Sequence, residues 1–169
     1  MKQNNIYLVG FMGSGKTSIL KKIKQIVNAN TIDLDENIEK KYGSINKIFQ
    51  TKGEKYFRNI ELETFQALPD NDTVIALGGG SLEVSHILDE VKNSELSFYL
   101  KDTFENLWKR ISNSERPLLK KGKEEISELY KLRENLYNQS KHTIDIKNKK
   151  EKIIAETIIQ NTWLKNEVI

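Results

Sequence analysis

One segment near the start of the chain restricts its possible folds more than any other. Residues 10–17 read G-F-M-G-S-G-K-T, which fits G-x-x-x-x-G-K-T, and they follow a short apolar run at 6–9. Glycines so placed let the backbone curl until successive N–H groups point at a polyphosphate, and a helix that begins there adds the positive end of its dipole. The pattern therefore predicts a strand, a phosphate-binding loop, a helix and a bound nucleoside triphosphate.

Two side chains of this motif have defined chemical roles. Lys16 is expected to reach the β- and γ-phosphates, and the Thr17 hydroxyl is expected to ligate Mg²⁺. A chance glycine-rich turn is the alternative, and the strand and helix patterns on either side disfavour it. The residues expected to surround the nucleotide phosphates are Gly13, Ser14, Gly15, Lys16, Thr17 and Ser18.

The amino-acid composition excludes several kinds of protein that could carry this motif. The chain has 169 residues, of which 37% are hydrophobic and 30% charged, so residues 1–169 are expected to form one globular domain. It has no cysteine and only two histidines, which excludes disulfides, a thiolate nucleophile and a histidine-rich metal cluster. The first residues do not resemble a signal peptide, and no apolar stretch approaches the roughly twenty residues of a membrane helix. We therefore expect a cytoplasmic protein.

The net charge of +3 invites a nucleic-acid interpretation, but the 27 basic residues are scattered among 24 acidic ones. A nucleic-acid-binding module is expected to interleave basic and aromatic residues on one face, and this chain does not show that pattern. A solvated surface of mixed charge is the better interpretation.

Short apolar runs alternate with helical patterns along the chain. Because most of the runs lack an alternation of apolar and polar residues, they indicate strands buried on both faces of a parallel sheet. Strand–helix alternation with a phosphate loop at the first turn predicts a doubly wound α/β fold. The predicted strands are 6–9, 31–34, 73–77, 96–100 and 143–146, and the predicted helices are 16–27, 35–50, 53–67, 85–91, 104–112, 124–139 and 150–164.

Two segments fall outside this alternation. Residues 35–67 form a long helical insertion between the second and third strands. Residues 112–125 are polar and basic, with Pro117 and Gly122, and are expected to form a mobile lid over an anionic ligand. Taken alone, this second segment fits a solvated connecting loop better than a lid, and the phosphate loop elsewhere in the chain reverses that preference.

Two carboxylates follow the second predicted strand. Ligands of open α/β sheets bind outside the carboxyl ends of the strands, so Asp33 and Asp35 are expected near the phosphate loop. Strand alternation predicts that both point to the same side. One carboxylate could hold metal-bound water while the other accepts a hydroxyl proton, although Asp35 could instead only cap the next helix.

Glycines and arginines supply further candidate ligand-binding groups. Gly78, Gly79 and Gly80 follow the third predicted strand, where many phosphate-loop ATPases have a metal-directed Asp, and they would allow a ligand to approach the backbone. Arg58 and Glu61 lie three positions apart on one helix face and could pair, although a surface ion pair there would contribute little. The four arginines are Arg58, Arg110, Arg116 and Arg133, and all lie in or beside these segments.

In this order, the motifs resemble those of the shikimate kinase family. The resemblance runs from about Ile6 to Ile146 and includes the phosphate loop, D-L-D, F-R-N-I-E, G-G-G, E-R-P-L-L and L-R-E-N-L-Y. It implies a P-loop kinase with a three-layer α/β/α architecture, a five-stranded parallel sheet, a helical substrate-binding insertion and a lid. It also implies Mg²⁺-dependent phosphoryl transfer from ATP to the 3-hydroxyl of shikimate, in the pathway to chorismate and the aromatic amino acids.

The resemblance also implies roles at the reacting groups. Lys16 would steady the β- and γ-phosphates, Thr17 would bind Mg²⁺, and Asp33 would bind the metal through water. Asp35 would orient and deprotonate the attacking hydroxyl of the substrate.

On the acceptor side, the resemblance implies that Arg58 and Arg133 hold the shikimate carboxylate and that Glu61 fixes Arg58. Gly79 and Gly80 would bind the substrate through their backbone groups.

The resemblance places the two remaining arginines beside the nucleotide. Arg116 would enter from the lid to stabilise charge on the transferred phosphoryl group, and Arg110 would pack against adenine. The implied partners are ATP, ADP and shikimate, with neither nucleic acid nor a membrane, and the chain is expected to be a monomer.

Two other readings of the phosphate loop remain open at this point. Gluconate kinase has the same fold, but its family resembles G-D-x-L-H-P after the second strand, where this chain has D-L-D-E-N at 33–37. A nucleotide-dependent switch or an inactive scaffold would be expected to lack Asp35, Arg58 or Arg133, and all three are present.

Overall fold

The structure, a computed structural model, describes residues 4–114, 119 and 122–169. The strands are β1 (Ile6–Val9), β2 (Asn30–Asp33), β3 (Thr73–Ala76), β4 (Ser97–Lys101) and β5 (His142–Asp145). The helices are α1 (Lys16–Ile26), α2 (Leu34–Tyr42), α3 (Ile45–Gln66), α4 (Ser85–Lys92), α5 (Phe104–Ile111), α6 (Lys123–Tyr137) and α7 (Glu151–Gln160). Short 3₁₀ turns follow β3 at Ser81–Glu83 and α7 at Trp163–Asn166.

The five strands form one parallel sheet in the order β2-β3-β1-β4-β5. β1 lies at the centre, where Tyr7 is in register with Ile75 of β3 and with Ser97 of β4. All residues of β1 and β3 are buried, whereas β2 and β5 lie at the edges and are more exposed. The unbroken apolar runs in the sequence are explained by this burial on both faces.

Helices cover both faces of the sheet. Alternate strand residues point to opposite faces, so Ile6 and Leu8 pack against α1 and α7, whereas Tyr7 and Val9 pack against the remaining helices. The expected three-layer α/β/α architecture with a five-stranded parallel sheet is confirmed, and each predicted strand agrees with the structure to within one residue at either end. No helix in the described part of the chain combines the length and hydrophobicity needed to cross a bilayer.

The helical insertion differs from its prediction. The predicted helix 35–50 is wrong because α2 ends at Tyr42 and α3 begins at Ile45. Gly43 separates them with φ 88°, a left-handed value that ends a helix readily only at glycine. The predicted break before Gly53 is present as a kink within α3, where Gly53 has φ 79° and ψ 172°.

Two other boundaries are also corrected. The last helix was predicted over 150–164, but α7 ends at Gln160, and a 3₁₀ turn follows. The segment predicted to form a lid, 112–125, overlaps α6 at its end, because α6 already begins at Lys123. Residues 115–118, 120 and 121 of that segment lie outside the described residues.

Candidate active site

The phosphate loop connects β1 to α1 at the carboxyl edge of the sheet. Gly13 has φ 83° and Gly15, the N-cap of α1, has φ 81°, so the turn uses a backbone conformation that other residues rarely adopt. A Cβ at Gly13 would also lie 2.8 Å from Cγ2 of Ile111 in α5. The glycines therefore shape the loop through both dihedral angle and space.

The lysine of the motif lies over this loop. Lys16 Nζ donates hydrogen bonds to the carbonyl oxygens of Gly10, at 2.6 Å, and Phe11, at 3.2 Å. Thr17 and Ser18 follow it in the first turn of α1, where backbone N–H groups lack helical partners. This end of α1 combines a cation, a hydroxyl group and the positive end of a helix dipole, which is an anion-binding arrangement.

A hydroxyl and a carboxylate meet beside the loop. Thr17 Oγ1 donates a hydrogen bond to Asp33 Oδ2 at 2.6 Å, although the two residues belong to α1 and β2. Oxygen ligands of this kind suit Mg²⁺, which also keeps waters and phosphate oxygens in its coordination shell. Among the described residues there is no group of three or more His, Asp or Glu side chains that could hold a metal alone. The pair therefore fits a cation that is held largely by nucleotide phosphates.

The structure contradicts the strand-alternation argument for the two carboxylates. Strand alternation does not relate Asp33 to Asp35, because α2 begins at Leu34 and Asp35 lies in its first turn. Asp33, rather than Asp35, is the N-cap, and its Oδ1 accepts a hydrogen bond from the N–H of Glu36 at 3.2 Å. Asp35 instead lines the cavity beside Gly78, where an added Cβ would lie 2.7 Å from Asp35 Oδ1.

A cavity of about 460 Å³ opens next to the phosphate loop. It lies at the carboxyl edge of the sheet, where ligands of open α/β folds bind. Five separate segments supply its walls, and the charged groups among them include two arginines and three acidic residues. The lining residues are Met12, Asp35, Glu39, Ile45, Asn46, Phe49, Phe57, Arg58, Glu61, Gly78, Gly79, Gly80 and Arg133.

Arg58 extends from α3 into an acidic environment. Its Nη1 donates to Glu61 at 2.8 Å, and its Nη2 donates to Glu83 at 2.9 Å and to Glu54 at 3.2 Å. Burial disfavours the charged guanidinium, but Glu61 and the other two carboxylates outweigh that effect and raise the pKa of Arg58. Its Nε is buried and has no hydrogen-bond partner among the described residues.

The predicted pair of Arg58 and Glu61 is confirmed, and it is not a surface ion pair. The Glu61 side chain is completely buried and also accepts a 2.5 Å hydrogen bond from the hydroxyl of Ser81. Removal of one member of a buried pair leaves the other charge uncompensated, which is strongly destabilising. Glu61 therefore determines the position of the Arg58 guanidinium from within the core.

Arg133 reaches the same cavity from α6. It is 4% exposed, and its Nε donates to Glu83 at 2.8 Å. The ring of Phe11 from the phosphate loop lies 6.0 Å from the guanidinium carbon. Arg133 thus joins the wall of the cavity to the loop at which nucleotide phosphates would lie.

Two of the three glycines after β3, Gly78 and Gly80, leave space for charged side chains, whereas a Cβ at Gly79 would meet no atom nearer than 3.4 Å. A Cβ at Gly80 would lie 2.7 Å from Nη2 of Arg133 and still closer to Nη2 of Arg58. The φ of Gly80 is −108°, which any residue adopts, so the need for glycine comes from the two guanidinium groups. The carbonyl oxygen of Gly79 accepts a 2.5 Å hydrogen bond from the hydroxyl of Tyr137, whose pKa is raised by burial.

Comparison with known proteins identifies the family of this site. Residues 12–163 match the family model described as shikimate kinase. The chain is 46% identical over 144 residues to the shikimate kinase of Dictyoglomus turgidum, which covers 80% of this chain and 83% of that protein. The chain belongs to the shikimate kinase family.

Other relatives and solved structures agree with this assignment. The shikimate kinase of Persephonella marina is 36% identical, with 92% of this chain and 96% of that protein covered. The structure of shikimate kinase from Acinetobacter baumannii in complex with shikimate superposes with a TM-score of 0.83 at 29% identity, covering 94% of this chain and 92% of that one. A deoxyadenosine kinase from M. mycoides, at 19% identity and a TM-score of 0.59, shares the fold.

The shikimate kinase motifs predict that Arg110 and Arg116 lie beside the nucleotide, and the structure describes only the first of them. Arg110 Nη2 pairs with Asp102 at 2.6 Å, and its Nη1 donates to the carbonyl oxygen of Gly13 at 3.1 Å, so it braces the phosphate loop. Its contact with adenine stays a prediction. Arg116 lies outside the described residues, and so does the predicted contact from the lid.

Sequence reasoning missed two residues of the site: Glu83 bridges Arg58 and Arg133, and Tyr137 donates a hydrogen bond to Gly79. It named Gly78 for close approach of a ligand, whereas the structure shows that Gly78 leaves room for Asp35. The spacing of Tyr137 four residues after Arg133 was the only local signal, since it places both on one face of α6. No local pattern relates Glu83 to its two arginines.

Proposed function

We propose that the protein transfers the γ-phosphoryl group of ATP to the 3-hydroxyl of shikimate, which yields shikimate 3-phosphate and ADP for the synthesis of chorismate. One observation carries the proposal: the arginine-lined cavity opens directly onto the phosphate loop. Met12 of the loop lines the cavity, and a Cβ at Gly79 would lie 3.4 Å from the Met12 backbone nitrogen. Donor and acceptor sites are thus adjacent, as direct transfer between two bound substrates requires.

The acceptor side suits a small carboxylate that carries hydroxyl groups. Arg58 Nε is a buried donor that has no hydrogen-bond partner among the described residues. Within the same part of the chain, Arg133 donates through Nε to Glu83, and its two terminal nitrogens make no hydrogen bond. The remaining guanidinium donors can take a carboxylate with charge-assisted hydrogen bonds. Gly79 and Gly80 would contribute backbone groups, and the insertion 35–67 would form the substrate-binding region.

Asp35 is the general base of the proposed reaction. It is the carboxylate that lines the cavity at the first turn of α2, beside Gly78. A carboxylate there can orient an attacking hydroxyl group and accept its proton. Lys16 would stabilise negative charge on the β- and γ-phosphates during transfer.

Mg²⁺ is the proposed metal, with Thr17 as a direct ligand and Asp33 as a ligand through water. The hydrogen bond between their side chains supports this assignment, because it shows that a hydroxyl and a carboxylate share one position beside the phosphate loop. A bound Mg²⁺ would neutralise charge on the phosphates that it bridges.

The remaining parts of the proposal concern the lid, the adenine and the setting of the enzyme. Arg116, in the lid segment 112–125, would stabilise the transferred phosphoryl group, and Arg110 would contact adenine. We further propose that the protein acts as a monomer in the cytoplasm, as one domain over residues 1–169.

Release of ADP measured with MgATP and each candidate acceptor tests the function. Turnover is expected with shikimate and not with gluconate, and ³¹P NMR of the product should show a phosphomonoester on the 3-oxygen. Turnover with gluconate, or ADP release that does not depend on any acceptor, would contradict the proposal. Replacement of Mg²⁺ by EDTA should abolish turnover, and EDTA-resistant activity would contradict the metal assignment.

A further inference from the structure

Glu83 pairs with both arginines of the cavity. It ends the 3₁₀ turn Ser81–Glu83 that follows the three glycines, and its backbone N–H donates to the carbonyl oxygen of Gly80 at 3.0 Å. It is not among the residues that line the cavity, whereas Arg58 and Arg133 are. A substrate in the cavity would therefore meet the arginines and not this carboxylate.

The carboxylate of Glu83 bridges the two guanidinium groups. Oε1 accepts from Nε of Arg133 at 2.8 Å, and Oε2 accepts from Nη2 of Arg58 at 2.9 Å. The arginines come from different helices, 25 and 50 positions from Glu83 along the chain. No other described side chain makes an ion pair with both of them.

The two arginines need such a bridge. Their Nη2 atoms both crowd the position that a Cβ of Gly80 would occupy, so the two cations are close neighbours in a largely buried place. Like charges at short distance repel strongly where the effective dielectric constant is low. A carboxylate between them offsets that repulsion and holds both planar forks in one orientation.

We infer that Glu83 is a positioning residue for recognition of the acceptor carboxylate, an inference that rests on the proposed function. Because Glu83 accepts the hydrogen bond from Nε of Arg133, the terminal nitrogens of that arginine lie beside Gly79 and Gly80 on the cavity side. Because Glu83 also accepts the hydrogen bond from Nη2 of Arg58, the guanidinium group of Arg58 stays next to that of Arg133. A substrate carboxylate then meets two preoriented donors and loses less conformational freedom on binding.

Removal of the negative charge of Glu83 has two opposing effects on binding of the acceptor. Loss of a negative charge near the cavity raises the positive potential there and favours an anion. Loss of the bridge lets two cations separate and turn. Glu83 is 31% exposed, so water screens the long-range effect, whereas the bridge itself is a direct contact with the buried Arg133 and with Arg58, which is 17% exposed. Loss of the bridge is therefore the larger effect, and acceptor binding weakens.

Glu83→Gln tests the inference with little change in size. A glutamine oxygen can accept from one arginine, but its NH₂ group then faces the other guanidinium, donor against donor. The expected result is about a tenfold rise in KM for shikimate and in the calorimetric Kd for shikimate. KM for ATP and the kcat at saturating shikimate are expected to change less than twofold, a split that general loss of folding would not produce.

Glu54→Gln is the matched comparison. Glu54 also pairs with Nη2 of Arg58, at 3.2 Å, but it is mostly exposed, and among the described residues it forms no ion pair with Arg133. Its substitution is expected to raise KM for shikimate less than Glu83→Gln does. Glu83→Asp keeps the charge on a shorter side chain and should recover part of the affinity that Glu83→Gln loses.

The outcomes separate this inference from the proposed function. If the wild-type protein shows no shikimate-dependent ADP release, the proposed function fails. If the wild type is active and Glu83→Gln leaves KM for shikimate unchanged, only the positioning role fails. A lower KM in that variant would show that Glu83 competes with the substrate for the arginines, and it would also overturn the inference.

Discussion

The phosphate loop and the acceptor cavity lie side by side, but they are built in opposite ways. The loop is one continuous segment between β1 and α1, and its ligand-facing groups are largely backbone N–H groups placed by glycine dihedral angles. The cavity takes its walls from the loop, α2, α3, the turn after β3 and α6, and its charged groups are side chains. Contiguous sequence forms the first site, and packing of distant elements forms the second.

This difference decides how each site responds to substitution. The loop depends on local conformation, which few residues other than glycine can adopt. The cavity depends on buried ion pairs, in which the completely buried Glu61 and the nearly buried Arg133 hold partners from other elements. We therefore expect changes in the cavity to alter use of the acceptor while binding of ATP is kept.

The largest effect is expected at Asp35, which lines the cavity from the first turn of α2. Asp35→Asn should lower kcat by about a hundredfold or more, since general-base assistance is typically worth that much, while ATP still binds. Stopped-flow or coupled-enzyme measurement of ADP release, with calorimetry of ATP, gives both quantities. A kcat near that of the wild type would remove Asp35 from the mechanism, and an equal loss of ATP affinity would show that the two sites are not separable.

Loss of either arginine is expected to have the next largest effect. Arg58→Ala and Arg133→Ala should each weaken shikimate binding about tenfold to a hundredfold, because a charge-assisted contact contributes about 1.5–3 kcal/mol. ATP affinity should change little. Titration calorimetry with each ligand, with thermal melting as a check on folding, distinguishes the cavity from the loop. Equal weakening of ATP binding would assign these arginines to the nucleotide site or to the fold.

Gly80→Ala tests whether space rather than backbone freedom requires that glycine. The new Cβ would displace the guanidinium groups of Arg58 and Arg133, and we expect about a tenfold rise in KM for shikimate. Gly79→Ala should have a smaller effect, because its Cβ would have no neighbour nearer than 3.4 Å. Steady-state kinetics of both variants make the comparison, and a larger effect at Gly79 would contradict the steric explanation.

The smallest expected effects come from two tyrosines of one helix. Tyr137 donates to the carbonyl oxygen of Gly79 in the cavity, whereas Tyr130 donates to the carbonyl oxygen of Asp102, whose carboxylate pairs with Arg110 beside the loop. Loss of one such hydrogen bond costs about 0.5–1.5 kcal/mol.

Tyr137→Phe should therefore raise KM for shikimate about threefold to tenfold, and Tyr130→Phe should raise KM for ATP by a similar factor. Each variant leaves the other substrate's KM nearly unchanged. A matrix of KM values for both substrates in both variants is the measurement. If both variants affect the same substrate, α6 does not contact the two sites separately.

Local patterns in the sequence predicted most of the fold and part of the candidate active site. The short apolar runs located all five strands to within one residue, and in β1 and β3 burial on both faces of the parallel sheet explains why the runs lack alternation. The motif at 10–17 predicted the loop, and the three-residue spacing predicted the pair of Arg58 and Glu61. Such features depend on residues that are near one another in the chain.

Only the tertiary structure decided how the carboxylates, glycines and arginines meet. Asp33 was expected to share a strand side with Asp35, but the early start of α2 made it a helix cap that also accepts from Thr17. Tyr137 and Gly79 are 58 positions apart, and Glu83 joins two arginines from different helices. Periodicity records which face of an element is buried, but it carries no information about which distant element covers that face. Contacts of this kind exist only once α3 and α6 have packed at the carboxyl edge of the sheet.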